Sequence, residues 1–139
     1  ALVACCDAVA SLPDVDVSGG KGAFVSGCTC RINACVAGWP LAGQGATVAE
    51  GAWSNGVDPS WSPAISNTES SKGAHCFLPY NAWGWGDKSW SSWEEAINAH
   101  VAGLANGYGY SITYANAAKY CPPNTDHWFK ATIGQMKMI

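Results

Sequence analysis

From Thr47 to the end, glycine and proline cut the chain into short runs, and each run places its apolar residues at helical rather than alternating spacing. Thr47 to Trp53 is stopped by Asn55-Gly56, with the Thr47 hydroxyl as a cap. Trp61, Ile65, Thr68 and Glu69 share a stripe between Pro59 and Gly73, and Trp93, Ile97, Val101 and Leu104 share another before Asn106-Gly107. A run from about Ile112 to Tyr120 ends at Pro122-Pro123. The last helix, capped by Thr125 or Asp126, presents Trp128, Phe129, Ile133 and Met136. Four or five such helices can bury their stripes only against one another, so the expected fold is mainly α.

The second of these runs carries the chemistry. Asp58 is suited to N-cap a helix, Pro59 to its first position, and Gly73 to the left-handed residue beyond its end. Glu69 then lies in the last turn, on the apolar stripe. Partial burial and the negative end of the helix dipole both favour the protonated carboxyl there. A carboxyl held protonated near neutral pH is a general acid. Ser66, Asn67, Ser70 and Ser71 surround it with groups able to hold a sugar or a water. Elsewhere, Ser92 and Glu95 form a capping box, and the first-turn acids Glu94 and Glu95 need no further role.

Residues 1–46 read differently. Leu2, Val3, Cys6 and Val9 give one short apolar helix that Pro13 ends, and residues 14–45 are rich in Gly, Ser and Cys without helical period, with a brief strand-like Ala23-Phe24-Val25. The reading is a Cys-rich extension, 1–46, laid over a main domain of 47–139. Seven cysteines in 139 residues point to an oxidising compartment. A Cys76–Cys121 disulfide is expected, with two more bonds in the amino-terminal cluster. The competing assignment of Cys28, Cys30 and Cys35, with Cys5 or Cys6, to a zinc site lacks the Cys-x-x-Cys spacing, so no metal is expected.

A formal charge of −3 with seven basic residues argues against nucleic-acid binding, and no apolar run is long enough to cross a bilayer. Ala1-Leu2-Val3-Ala4 lacks the basic flank of a signal peptide, so a soluble mature protein or excised domain is expected. Eight tryptophans beside so few charges suit flat, hydroxyl-rich ligands. Trp61, Trp93 and Trp128, on helices, are assigned to the core. Trp83 and Trp85, set between glycines in a loop, are assigned to a ligand, and Tyr108, in Gly107-Tyr108-Gly109-Tyr110, could line the same groove.

The pair Glu69-Ser70 ending a helix, followed by Asn81-Ala82-Trp83-Gly84-Trp85-Gly86, resembles the lysozyme-like cell-wall glycosidases, in particular their glucosaminidase and lytic transglycosylase branches. The resemblance covers roughly Thr47 to Ile139. It implies an α+β lysozyme-like domain in which a small lobe of turns or short strands faces the catalytic helix. It also implies cleavage of a β-1,4 bond of peptidoglycan without a cofactor, by a secreted or wall-associated monomer. Within it Glu69 would be the acid, and Asp87, the lobe's only acid, a second carboxylate. Ser70, Asn81, Trp83, Trp85 and Tyr108 would bind the glycan. Lys119-Tyr120-Cys121-Pro122-Pro123 is similar to the Tyr-x-x-x-Pro region of the glucosaminidase branch, whose tyrosine steadies the reacting sugar, although Cys121-Pro122 departs from the usual small residues.

Two other functions fit the same text. A non-catalytic glycan-binding module would keep the groove without the chemistry. A cysteine peptidase would pair a cysteine, Cys76 being best placed, with His75, His100 or His127.

Overall fold

The computed structural model describes residues 17–139, so the helix expected at 1–12, and Cys5 and Cys6, lie outside the described residues. Six α-helices follow in order: α1 Gly20–Val36, α2 Gly45–Asn55, α3 Trp61–Ser70, α4 Trp93–Gly107, α5 Tyr114–Tyr120 and, after a single 3₁₀ turn Pro122–Asn124, α6 Thr125–Met136. No strand occurs among the described residues, and the segment between α3 and α4 is built from turns. Nor is any described helix long and apolar enough to cross a membrane.

The largest departure from the sequence reading is α1, which occupies text expected to be irregular. Its amino-terminal half is poor in helix formers, and Gly19 at its N-cap supplies no side-chain cap. Tertiary burial makes up for this. Phe24, Cys28, Ile32 and Val36 recur every fourth residue and are all buried, Cys28 serving as a small apolar side chain. Each larger member contributes about 1.5–3 kcal/mol by leaving water. These residues belong to the same core cluster as Trp53, Trp61, Ile97 and Trp128, so α1 puts one buried face into the shared core and leaves its other faces toward solvent.

The contact between α1 and α2 is close because Gly45 sits where they meet. Its N–H donates to Asn33 Oδ1 at 2.7 Å, and a Cβ there would stand 2.6 Å from both that oxygen and the Thr29 carbonyl. α2 therefore starts at Gly45, without the expected Thr47 cap, and ends as expected at Gly56, whose φ of 67° is the left-handed value. α2 also packs on α4, and α3 packs chiefly on α6 and more lightly on α4.

α3 is the innermost helix, with every residue from Trp61 to Ser66 buried. It begins two residues later than its sequence suggests. The Asp58 carboxylate accepts from Ser60 N at 3.0 Å and Ser60 Oγ at 2.7 Å, so Asp58 closes a turn of which Pro59 is part. At the other end Ser71 (φ 52°) and Lys72 (φ 57°) are already left-handed before Gly73 (φ 92°). Such backbone is costly for non-glycine residues, by about 1–3 kcal/mol each. It is held by the bonds Ser71 N–H to Asn67 O and Lys72 N–H to Ser66 O, and by Lys72 Nζ donating to Cys35 O at 2.9 Å. Ser92 accepts from Glu95 N at the start of α4, as its sequence suggests.

Candidate active site at the end of the central helix

Beyond the left-handed turn, the chain returns over the end of α3 as the loop 81–90, organised by a single side chain. Asn81 is buried, its Oδ1 accepting from Trp85 N at 3.0 Å and Trp83 N at 3.4 Å. Its Nδ2 donates to Lys88 O at 2.9 Å and Trp85 O at 3.2 Å. The amide is fully spent on backbone, so Asn81 shapes the loop instead of offering itself to a sugar. Ser70 is corrected in the same way. Buried, its hydroxyl lies 2.6 Å from Ala82 O and accepts from Gly73 N at 3.0 Å, fastening the loop to the helix end.

Trp83 is also turned inward. It is 1% exposed and stacks on His100 at 4.9 Å and 21°, so it has no face for a ligand, contrary to expectation. Its Nε1–H donates to Ser62 O at 3.0 Å. Around it a closed ring of hydrogen bonds forms. The Tyr120 hydroxyl donates to Trp83 O at 2.5 Å, His100 Nε2 lies 3.1 Å from the same hydroxyl oxygen, and His100 Nδ1 lies 2.8 Å from Ser62 Oγ. Since the one tyrosine hydrogen goes to the carbonyl, its oxygen accepts from Nε2–H, and Nδ1 accepts from the Ser62 hydroxyl. Burial pushes the His100 pKa down to about 3, which keeps the imidazole neutral, as this pattern requires. Burial first, and the Glu69 charge second, drive the Tyr120 pKa well above its ordinary value, so Tyr120 stays a donor.

Glu69 stands at the edge of this assembly. Eight residues after Trp61 the helix has turned roughly 80° off the buried line. The side chain is accordingly exposed over much of its length, where the sequence places it on the apolar stripe. Its carboxyl is nonetheless partly withdrawn from water. Oε2 accepts from Trp128 Nε1 at 2.9 Å, and Oε1 rests against Gly84, where an added Cβ would collide with it. Burial raises the Glu69 pKa above the ordinary glutamate value, and the Trp128 bond offsets this only in part. The Trp128 indole in turn stacks on the Tyr120 ring at 4.7 Å. Glu69, Gly84, Tyr120 and Trp128 thus form one constellation, drawn from α3, the loop, α5 and α6.

Trp85 and Tyr108 continue it. Both are half-buried, their rings 5.5 Å apart and each within 6 Å of Tyr120. Trp85 fits over Gly103 of α4, where a Cβ would stand 2.6 Å from its ring. Asp87 is exposed on the outer turn, and its charge is not among the influences on Glu69.

The cysteines do not follow the sequence reading. Cys76 and Cys121 are free thiols, so the expected bond between them is not formed, and Cys28, Cys30 and Cys35 are free as well. Cys28 is buried while Cys30 is exposed on the far side of α1, and among the described residues no three ligating groups converge on a metal site. Burial raises the Cys76 and Cys28 thiol pKa values, the reverse of an activated nucleophile. A cavity of about 890 Å³ is bordered by α1, the 108–113 turn and α6; Tyr108 lines it, Glu69 does not.

Three participants escaped the sequence reading. Trp128 was assigned only to the core, although a buried indole N–H needs an acceptor. His100 had no role outside the peptidase reading, and Gly84 was a motif letter without a function. Compared with protein-family models, curated proteins and solved structures, the chain matches none.

Proposed function

We propose that the chain is a lysozyme-like glycosidase that cleaves a β-1,4 bond of the peptidoglycan glycan strand, with Glu69 as the general acid. One observation carries the reading: a carboxyl at a helix end, its pKa raised by partial burial, steadied by one indole N–H, and packed against a glycine whose missing side chain leaves room for its Oε1. Such a group can give its proton to the leaving glycosidic oxygen. Trp85 and Tyr108, both packed against Tyr120 and only half-buried, offer aromatic surface on which a sugar ring can lie.

Two-carboxylate hydrolysis needs a partner about 5–5.5 Å away to act as nucleophile, or about 6.5–9.5 Å away to act on water. Asp87 is exposed on the outer turn, outside the Glu69–Gly84–Tyr120–Trp128 constellation, and is a poor partner. The form of the reaction that fits best is therefore single-acid cleavage, in which the sugar's own acetamido group attacks the anomeric carbon as Glu69 protonates the departing oxygen. Action on the cell wall, outside the cytoplasm and as a monomer, belongs to the same proposal.

Glu69→Gln keeps the shape and removes the proton. Digestion of purified peptidoglycan by this variant should fall by roughly 10²–10⁴-fold with the melting temperature preserved. Unchanged digestion would leave a glycan-binding module instead. Mass analysis of the fragments distinguishes the routes, since acetamido attack that closes on the 6-hydroxyl leaves an anhydro end and water leaves a reducing end.

A further inference from the structure

The Ser62–His100–Tyr120–Trp83 ring joins three helices to the loop, and all four members are spent on one another. Ser62 belongs to α3, the helix that carries Glu69, and the carbonyl held by Tyr120 belongs to Trp83, the residue before the Gly84 that borders the Glu69 carboxyl. We infer that His100 is a positioning residue for Glu69, acting through Tyr120 to fix the Trp83–Gly84 backbone at the distance that keeps the carboxyl half-shielded. This deepens the proposed function and rests on it for its catalytic consequence, but its structural part can be tested without turnover.

The tautomer is the working part of the device. With the proton on Nε2, Tyr120 receives one bond and has its own hydrogen free for Trp83 O. With the proton on Nδ1, the Nε2 lone pair would compete for that hydrogen, and the carbonyl next to Gly84 could lose its donor. Ser62 prevents this by donating to Nδ1. The environment leaves His100 little other freedom: it is fully buried, stacked on Trp83 and met edge-on by Trp85 at 4.9 Å. It also follows that the Tyr120 hydroxyl is committed within the protein. Tyr120 would then serve the reaction by holding the loop, where the family resemblance implies direct contact with the sugar.

The test uses the Trp128 indole N–H, which is bonded to Glu69 and reports its ionisation as a chemical-shift titration in ¹⁵N-labelled protein. In the wild type the midpoint should lie above the ordinary glutamate value. His100→Leu, which keeps packing and removes both ring bonds, should move it down toward the ordinary glutamate value, and should lower kcat roughly 10–10²-fold with KM for glycan little changed. His100→Gln can keep an N–H toward Tyr120 and should restore most of both. A folded His100→Leu protein with the wild-type midpoint overturns the inference, whatever its activity. If that variant does not fold, Tyr120→Phe opens the same ring and carries the same expectation. In wild-type protein, ¹⁵N imidazole shifts must show neutral His100 with its proton on Nε2, and the other tautomer overturns the inference outright. Loss of digestion in Glu69→Gln with no midpoint shift in the His100 variants rejects the positioning role alone. A midpoint shift with normal digestion in Glu69→Gln rejects the catalytic role of Glu69 alone.

Discussion

The two halves of the described fold are held together by different means. Where α1 meets α2 the buried contact is mainly carbon and sulfur, through Phe24, Cys28, Ile32, Val36, Val48 and Trp53, with Gly45 letting the backbones approach and polar bonds only at its margin, from Gly45 N–H to Asn33 and between Lys21 and Glu50. Where α3 meets the loop and α4, the interior is polar: Ser62, Ser66, Ser70, Asn81 and His100 are buried, each with hydrogen-bond partners. Apolar contacts are graded, losing stability roughly with the area or volume removed. A satisfied polar network is closer to all-or-none, because removing one member strands another in a medium without water. The first half therefore supplies stability that tolerates change, and the second supplies a defined geometry beside Glu69.

The largest effect that would sharpen this contrast is Glu69→Gln, whose digestion loss should come without a loss of stability, since the residue lies at the exposed edge of the network. Gly84→Ala comes next. Its φ of 59° disfavours any side chain and the new methyl would strike the Glu69 carboxyl, so activity should fall about 10²-fold, through displacement of the acid, with a cost of roughly 1 kcal/mol in denaturant titrations. Gly45→Ala probes the other half. It should cost about 1–3 kcal/mol by pushing α1 from α2, yet leave activity per folded molecule near the wild-type value. Equal activity losses in the two glycine variants would break the comparison.

The pH dependence separates the halves again. His100 has a folded pKa of about 3 against 6.5 when unfolded, so its contribution is complete above 6.5 and is lost as pH falls toward 3. The slope is at most about 1.4 kcal/mol per unit, and His100→Leu should flatten it. Glu69 has the opposite sign: its raised pKa favours the folded state below 4.5, and that contribution is lost as pH rises through the raised value. Being largely exposed, Glu69 should scarcely affect stability, but it should set the alkaline limb of the activity profile, because the acid loses its proton there. The smallest effect is Cys28→Ala, a cost of about 1 kcal/mol in the melting or denaturant curve with no change in digestion or its pH profile.

The helices from α2 to α6 were legible because their apolar residues keep a 3.6-residue period and glycine or proline marks several of their ends; Gly56 and the Ser92 cap fall where the sequence puts them. α1 was not legible. Its glycines and cysteines mask a seam that exists only once α2 is there to receive it, and local propensity does not record a distant partner.

Glu69 is singled out as a candidate by its place in the last turn of a helix and by the Glu-Ser and Asn-x-Trp-Gly text, but its shielding has another source than the apolar stripe. The helix turns it to the edge, and Trp128, 59 positions away in sequence, and Gly84 do what the stripe was expected to do. Trp83, Ser70 and Asn81 were correctly placed in the loop and helix end that surround the acid and wrongly turned toward a ligand. Whether an aromatic ring or an amide in a turn faces water or core depends on what packs behind it. Helix identity and the position of the acid along its helix follow from periodicity and punctuation, which are properties of neighbouring residues. The tautomer of His100, the commitment of the Tyr120 hydroxyl and the raised pKa of Glu69 follow from desolvation and hydrogen bonds between residues far apart in the chain, and only the tertiary structure brings those together.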